Sequence, residues 1–132
     1  MNEVIRSTET GKGKVLLYSS GILHQTYVDG ARLTIEDSSA EIAVYKTEYC
    51  RFRRRPILVD INNIKSVSKE SRSIYSSSET AKYLSAAALL VNNPVSRIIG
   101  NFYMGINKTS MPVKLFTSTG EAMKWLISFL SE

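Results

Sequence analysis

Apolar residues recur along this chain of 132 residues in two rhythms. Alternating runs at 3–7, 14–19 and 22–28 predict three short strands, punctuated by Gly11, Gly13, Gly21 and Gly30. Ser20-Gly21 predicts a tight hairpin between the last two. No crossover helix fits between these strands, so neighbours among them are antiparallel. From Thr34 the rhythm lengthens. Ile42, Tyr45, Tyr49 and Phe52 fall at helical spacing, and Thr34 and Asp37 stand where a capping box would place them. That stripe predicts a helix running through Arg51, Arg53, Arg54 and Arg55 until Pro56 stops it, because proline pushes its predecessor out of the α region.

The second half alternates strand and helix. Ile57, Leu58, Val59 and Ile61 form a near-continuous apolar run, the mark of a strand covered on both faces, with Asp60 near its carboxyl end. Open α/β sheets place their sites at that edge. A polar loop with Asn62, Asn63 and Lys65 follows, and Ser68 caps a helical segment over 68–84 that breaks at Ser76, Ser77 and Ser78. Residues 86–91 predict a second buried strand. Asn93 and Pro94 start a helix as N-cap and first residue, with Val95, Ile98, Ile99, Phe102 and Ile106 along one face. A last strand at 112–117 leads to a helix opened by Ser118 and Glu121, with Ala122, Trp125, Leu126, Phe129 and Leu130 as its stripe. The order β-β-β-α-β-α-β-α-β-α predicts a single α/β domain over residues 1–132. Its sheet is open, mixed and mostly parallel, with an amino-terminal β-hairpin region, four main helices and right-handed crossovers.

Composition narrows the class. A hydrophobic content of 43% is that of a folded globular chain. No apolar run reaches the ~20 residues that span a bilayer, and the first residues lack the apolar core of a secretory signal. Cys50 is the single cysteine, which excludes an internal disulfide. The expected compartment is the cytoplasm. The net charge of +5 is concentrated rather than spread. Between residues 46 and 72 eight basic residues face three acidic ones, and the remainder balances. Such a segment suits phosphate, nucleic acid or an acidic protein face, or simply a solvated helix end whose cations offset the dipole. The arginines carry no nucleic-acid recognition module, so a nucleic-acid partner is not expected.

The residues of catalysis are missing. His24 is the only histidine and falls in a predicted strand, and no nucleophile motif surrounds any serine. One histidine and one cysteine exclude a thiolate zinc centre. Gly11-Lys12-Gly13-Lys14 lacks the ending of a phosphate-binding loop and is followed by no helix. Gly100 and Gly105 suit close packing or a helix end. The expectation is a protein without catalytic residues, cofactor or metal.

Three stretches carry a resemblance: PILVDINNI (56–64), AAALLVNNPVSRIIGNFYMGINK (86–108) and PVKLFTSTGEAMKWL (112–126). With the element order, they make the chain resemble the STAS domain of anti-sigma-factor antagonists, the SpoIIAA-like fold, which is related to the Sec14 lipid-binding fold. The resemblance is closest to uncharacterised bacterial STAS/SEC14-like proteins. It implies a non-catalytic regulatory or protein-interaction module binding another protein through Asp60, Asn62, Asn63, Lys65, Ser68, Lys69, Ser71 and Arg72. In the antagonists a serine at this helix start is phosphorylated. Here Lys69 or Glu70 fills the acceptor position, so Ser68 is expected to act as a cap and the phosphoswitch to be absent. The alternative is a binder of a small apolar or lipid-like ligand, in a crevice beside the Pro94 helix lined by Tyr103, Met104 and Met111. A two-fold homodimer pairing through an open edge strand completes the expectations.

Overall fold

Gly21 turns the chain at φ +101°, where a side chain would be strained. The Gly21 N–H donates to the Tyr18 carbonyl and the Tyr18 N–H to the Ile22 carbonyl, closing a three-residue loop rather than the two-residue turn expected from Ser20-Gly21. The computed structural model describes residues 3–75, 77–105 and 111–130, with backbone alone for 102–105. Strands β1 (Val4–Thr10), β2 (Gly13–Tyr18) and β3 (Leu23–Tyr27) pair antiparallel. From β3 onward the ladder is parallel, through β5 (Arg55–Asp60), β7 (Leu84–Leu90) and β8 (Val113–Phe116). The six-stranded order β1-β2-β3-β5-β7-β8 matches the expected mixed, mostly parallel sheet.

Two strands lay outside the sequence reading. β4 (Ala31–Leu33) and β6 (Ile64–Val67) form a separate parallel pair. Ile64 and Val67 are buried, so part of the expected polar loop is a strand. Each strand is short, and its partner lies about thirty residues away in sequence, which local periodicity does not register.

The four helices confirm the plan and correct its boundaries. α1 (Ile35–Val44) starts at Thr34, whose backbone N–H and hydroxyl both donate to the Asp37 carboxylate. It does not continue through the arginines. One π-helical turn (Tyr45–Tyr49) ends it, with the Cys50 N–H donating to the Tyr45 carbonyl five residues back. Arg55 then folds inward, donating from Nε to the Tyr49 carbonyl at 2.6 Å and from Nη1 to that of Gly21 at 3.3 Å. Phe52, expected on the buried stripe, is 91% exposed. α2 (Lys69–Tyr75) is shorter than expected, because the Ser77 and Thr80 hydroxyls take the Ile74 carbonyl at its end. Ser76 lies outside the described residues. A 3₁₀ turn (Thr80–Lys82) follows, and Leu84 belongs to β7, not to the helix.

α3 (Pro94–Gly105) begins as expected, with the Asn93 side chain accepting from the Ser96 N–H at 2.8 Å. Its inward face is a correction. Ser96, Ile99 and Gly100 are buried, whereas Val95 is 48% and Ile98 59% exposed. A Cβ on Gly100 would stand 3.0 Å from both Leu115 and Val91, so glycine sets the line of close approach and turns Val95 and Ile98 outward. Ile106 and the Phe102 side chain lie outside the description. α4 (Thr119–Ile127) is capped by Ser118, which accepts from the Glu121 N–H at 3.3 Å.

The helices divide between the two faces of the sheet. α4 buries Ala122 and Leu126 against Ile22, Leu58, Ala86 and Ala88. The opposite face, with Leu23, Ile57, Ala87 and Leu89, packs with Tyr45, Tyr49 and Ile99 from the other elements. Every residue of β7 is buried, as expected of a strand covered on both sides. Among the described residues, no helix is long and apolar enough to cross a membrane.

Candidate functional site

Strands β3, β5, β7 and β8 lie side by side in chain order, so the sheet has no reversal at the carboxyl end of β5. The crevice that makes such an edge a binding place elsewhere depends on that reversal. Here asparagines tie the edge together instead. Asp60 Oδ1 accepts from the Asn62 N–H at 3.0 Å and from its Nδ2 at 2.9 Å. Asn62 Oδ1 accepts from the Asn92 N–H at 2.6 Å and the Ser96 hydroxyl at 2.9 Å, linking β5 to the start of α3. Asn92 reaches the Thr117 carbonyl, and Asn63 reaches that of Tyr27. Asp60, Asn62 and Asn63 thus spend polar atoms within the fold.

The remaining residues of the expected site divide between structural bonds and solvent. Ser68 Oγ accepts from the Ser71 N–H at 3.1 Å, a helix cap. Ser71 is fully buried, which withholds its hydroxyl from a modifying enzyme. Arg72 donates to the Val67 carbonyl, while Lys65 and Lys69 are exposed. Ser68→Ala is expected to lower stability by about 1 kcal/mol, read by denaturant unfolding. Peptide mapping of native material is expected to find both serines unmodified.

The arginines at 51, 53 and 54 are exposed, and each also touches the fold. Arg53 donates to the Leu130 carbonyl and Arg54 to that of Leu84, while Arg51 lies over the Phe52 ring. The Cys50 thiol, buried beside Arg55, is pushed up to about 11, because burial outweighs the nearby cation. His24 Nδ1 is 2.7 Å from the Tyr18 hydroxyl, and burial lowers its pKa.

The chemically distinctive place lies between the sheet and α1 and α2. A cavity of about 60 Å³ opens there, lined by Leu33, Ile61, Leu89, Met111 and Val113 among other apolar side chains. The ligand reading expected a crevice beside the helix that begins at Pro94. Among the described residues no α3 side chain lines this cavity. Of the three named residues Met111 lines it, while the Tyr103 and Met104 side chains lie outside the description. One wall is polar. Glu41, 1% exposed, accepts at Oε1 from the Tyr75 hydroxyl at 2.7 Å and the Tyr27 hydroxyl at 2.8 Å. The Tyr45 hydroxyl lies 3.5 Å from the same oxygen and donates more closely, at 2.6 Å, to Gln25 Oε1. Gln25 in turn donates to the Thr10 hydroxyl at 2.9 Å. Glu41 Oε2 has no hydrogen-bond partner among the described residues.

Burial raises the Glu41 pKa from 4.5 to about 7, against the pull of the tyrosine donors, with Asp37 adding to the rise. The hydroxyls of Tyr27 and Tyr45 are held well above their usual range, first by burial and then by the nearby charge. Sequence reading missed this cluster. Its available signal was one acidic residue, Glu41, four positions before Tyr45 on the helical stripe. Tyr27 and Tyr75 join it from elements that only folding brings near.

Comparison with known proteins places the fold. The family model of a domain of unknown function, DUF7793, matches residues 16–130. The comparison with curated proteins returned no match. An uncharacterised protein of the DUF3478 family with a SpoIIAA-like fold, from Shewanella loihica PV-4, is 16% identical. The alignment covers 96% of this chain and 92% of that one, with a TM-score of 0.54. A protein with unknown function from Arthrobacter sp. FB24 is 32% identical over 90% of this chain and 95% of its own, with a TM-score of 0.32. The expected SpoIIAA-like fold is therefore supported, and the likeness extends to no named STAS family.

Proposed function

The chain belongs to the DUF7793 family, and from that premise we propose that it is a non-catalytic binding module whose site is the cavity beneath α1 and α2. The carrying observation is that Glu41, which lines a mostly apolar cavity, has a buried carboxylate oxygen without a partner among the described residues. Buried polar atoms are nearly always satisfied, so an open one beside free volume suits a ligand. The non-catalytic reading is supported by the state of the reactive groups. The Cys50 thiol is protonated at neutral pH, and one nitrogen of His24 is spent on Tyr18.

Native mass spectrometry of protein from its own host, with methyl NMR of the purified chain against a panel of small apolar molecules, tests this. A retained molecule, or saturable shifts at Ala87 and Met111, is the expected result. A bare chain with unmoved methyl signals across the panel overturns it.

A second reading, protein binding at the edge formed by β6 and α2, is favoured by the exposed cations Lys65 and Lys69. The charge complements an acidic partner face. Lys65→Glu with Lys69→Glu is expected to lose partners that the parent recovers from native lysate. Arg72 is left in place because it braces the end of β6. Equal recovery by both proteins removes this surface.

A further inference from the structure

Building on the cavity as the binding site, we infer that it takes a small, neutral, mostly apolar molecule carrying one hydrogen-bond donor, which meets Oε2 of Glu41. The cavity's polar wall decides the ligand's chemistry. The hydroxyls of Tyr27 and Tyr75 donate to Glu41 Oε1, that of Tyr45 donates to Gln25, and that of Thr80 to the Ile74 carbonyl. Each of these hydroxyls has already committed its hydrogen. Once Glu41 is ionised, above about pH 7, the open position is an acceptor, Oε2; below that the carboxyl's own hydrogen occupies it. A ligand that brings a donor completes the wall, and one that brings only an acceptor finds no hydrogen from a carboxylate.

The count of donors matters as well as their presence. An ammonium group has three N–H bonds, of which Oε2 meets one, and the rest of the lining is mostly apolar. Each buried unmet donor costs about 1–3 kcal/mol. A single hydroxyl or N–H leaves nothing unmet. Size is bounded too: about 60 Å³ is under half of the ~150 Å³ cavity known to hold the six carbons of benzene, which allows roughly two to three non-hydrogen atoms.

Three probes share a two-carbon skeleton of that size and differ at the polar end: ethanol donates, acetonitrile only accepts, and ethylammonium is charged. Titrated at about pH 9, where Glu41 is a carboxylate, and followed at the Ala87 and Met111 methyls, ethanol is expected to bind at least about tenfold more tightly than acetonitrile. In Glu41→Gln the amide oxygen takes the place of Oε1, where tyrosines donate, so an N–H group stands at Oε2. The preference should then reverse toward acetonitrile. Equal affinities in the parent, an unchanged preference in the variant, or tightest binding of ethylammonium overturns the donor assignment while leaving the cavity a binding site. No saturable shift from any probe up to about 100 mM, a range set by how little energy three atoms supply, overturns both. If Glu41→Gln does not fold, the order of the three probes on the parent decides alone.

Discussion

Raising the pH from about 5 to about 8 is expected to lower the melting temperature of this protein, and Glu41→Gln to remove most of that fall. The folded chain holds the Glu41 proton up to about pH 7, whereas a solvated glutamate releases it near 4.5. Between those values the folded state binds more protons than the unfolded one, so stability decreases as pH rises. The contribution is complete below 4.5 and is lost as pH passes through about 7. A gap of that size corresponds to about 3 kcal/mol, or about 10 °C in melting temperature for a domain of this length. Glutamine still accepts from Tyr27 and Tyr75 but has no charge to bury, so the stability of the variant should not follow the ionisation of position 41. His24 works in the opposite direction. Its lowered pKa makes protonation of the folded chain unfavourable, so its contribution improves as pH rises toward neutrality. The difference between parent and variant isolates Glu41. A parent and variant with parallel pH profiles would show that the folded protein stabilises the ionised carboxylate fully.

Gly13→Ala is expected to destabilise the protein by about 3 kcal/mol or more, the upper range of overpacking. A Cβ at this position would lie 1.9 Å from the Thr26 carbonyl oxygen, 2.8 Å from its carbon and 2.9 Å from the Tyr27 Cα. All three are backbone atoms of β3, so no rotamer change relieves the clash. Relief requires β2 and β3 to separate where Gly13 pairs with Tyr27, the strand end that carries one of the Glu41 donors. Thermal unfolding with Gly30→Ala as reference tests the steric cause. Gly30 has a positive φ of 74° but open space around its would-be Cβ, so its cost is conformational and smaller. A Gly13→Ala protein as stable as the parent would show that the two strands tolerate a wider spacing.

The expected interaction residues illustrate how far local reading extends. Ser68 was legible as a cap because a serine before a short helix bonds within its own turn. Asp60 was legible as a strand end, yet its surroundings were not. The bonds that absorb Asn62 come from Asn92 and Ser96, some thirty residues onward. The arginine segment failed for a related reason. Helical spacing placed Phe52 on the stripe, but the π turn at Tyr45–Tyr49 and the inward fold of Arg55 end the helix first. On α3 the hydrophobic periodicity named Val95 and Ile98, whereas a close contact at Gly100 chose the buried face.

By itself the sequence determined the elements whose causes are local: the glycine-punctuated strands, the caps at Thr34, Ser68, Asn93 and Ser118, and the apolar runs that become β5 and β7. Their alternation also determined a mostly parallel sheet, because strands separated by helices pair side by side only through crossovers. The tertiary structure decided the pairing of β4 with β6, the buried side of α3, and the meeting of Glu41 with Tyr27 and Tyr75. These depend on contacts between residues distant in the chain, so no window of local periodicity contains them. A carboxylate becomes a buried, proton-holding group only when several elements close over it, since desolvation belongs to the enclosure rather than to the residue.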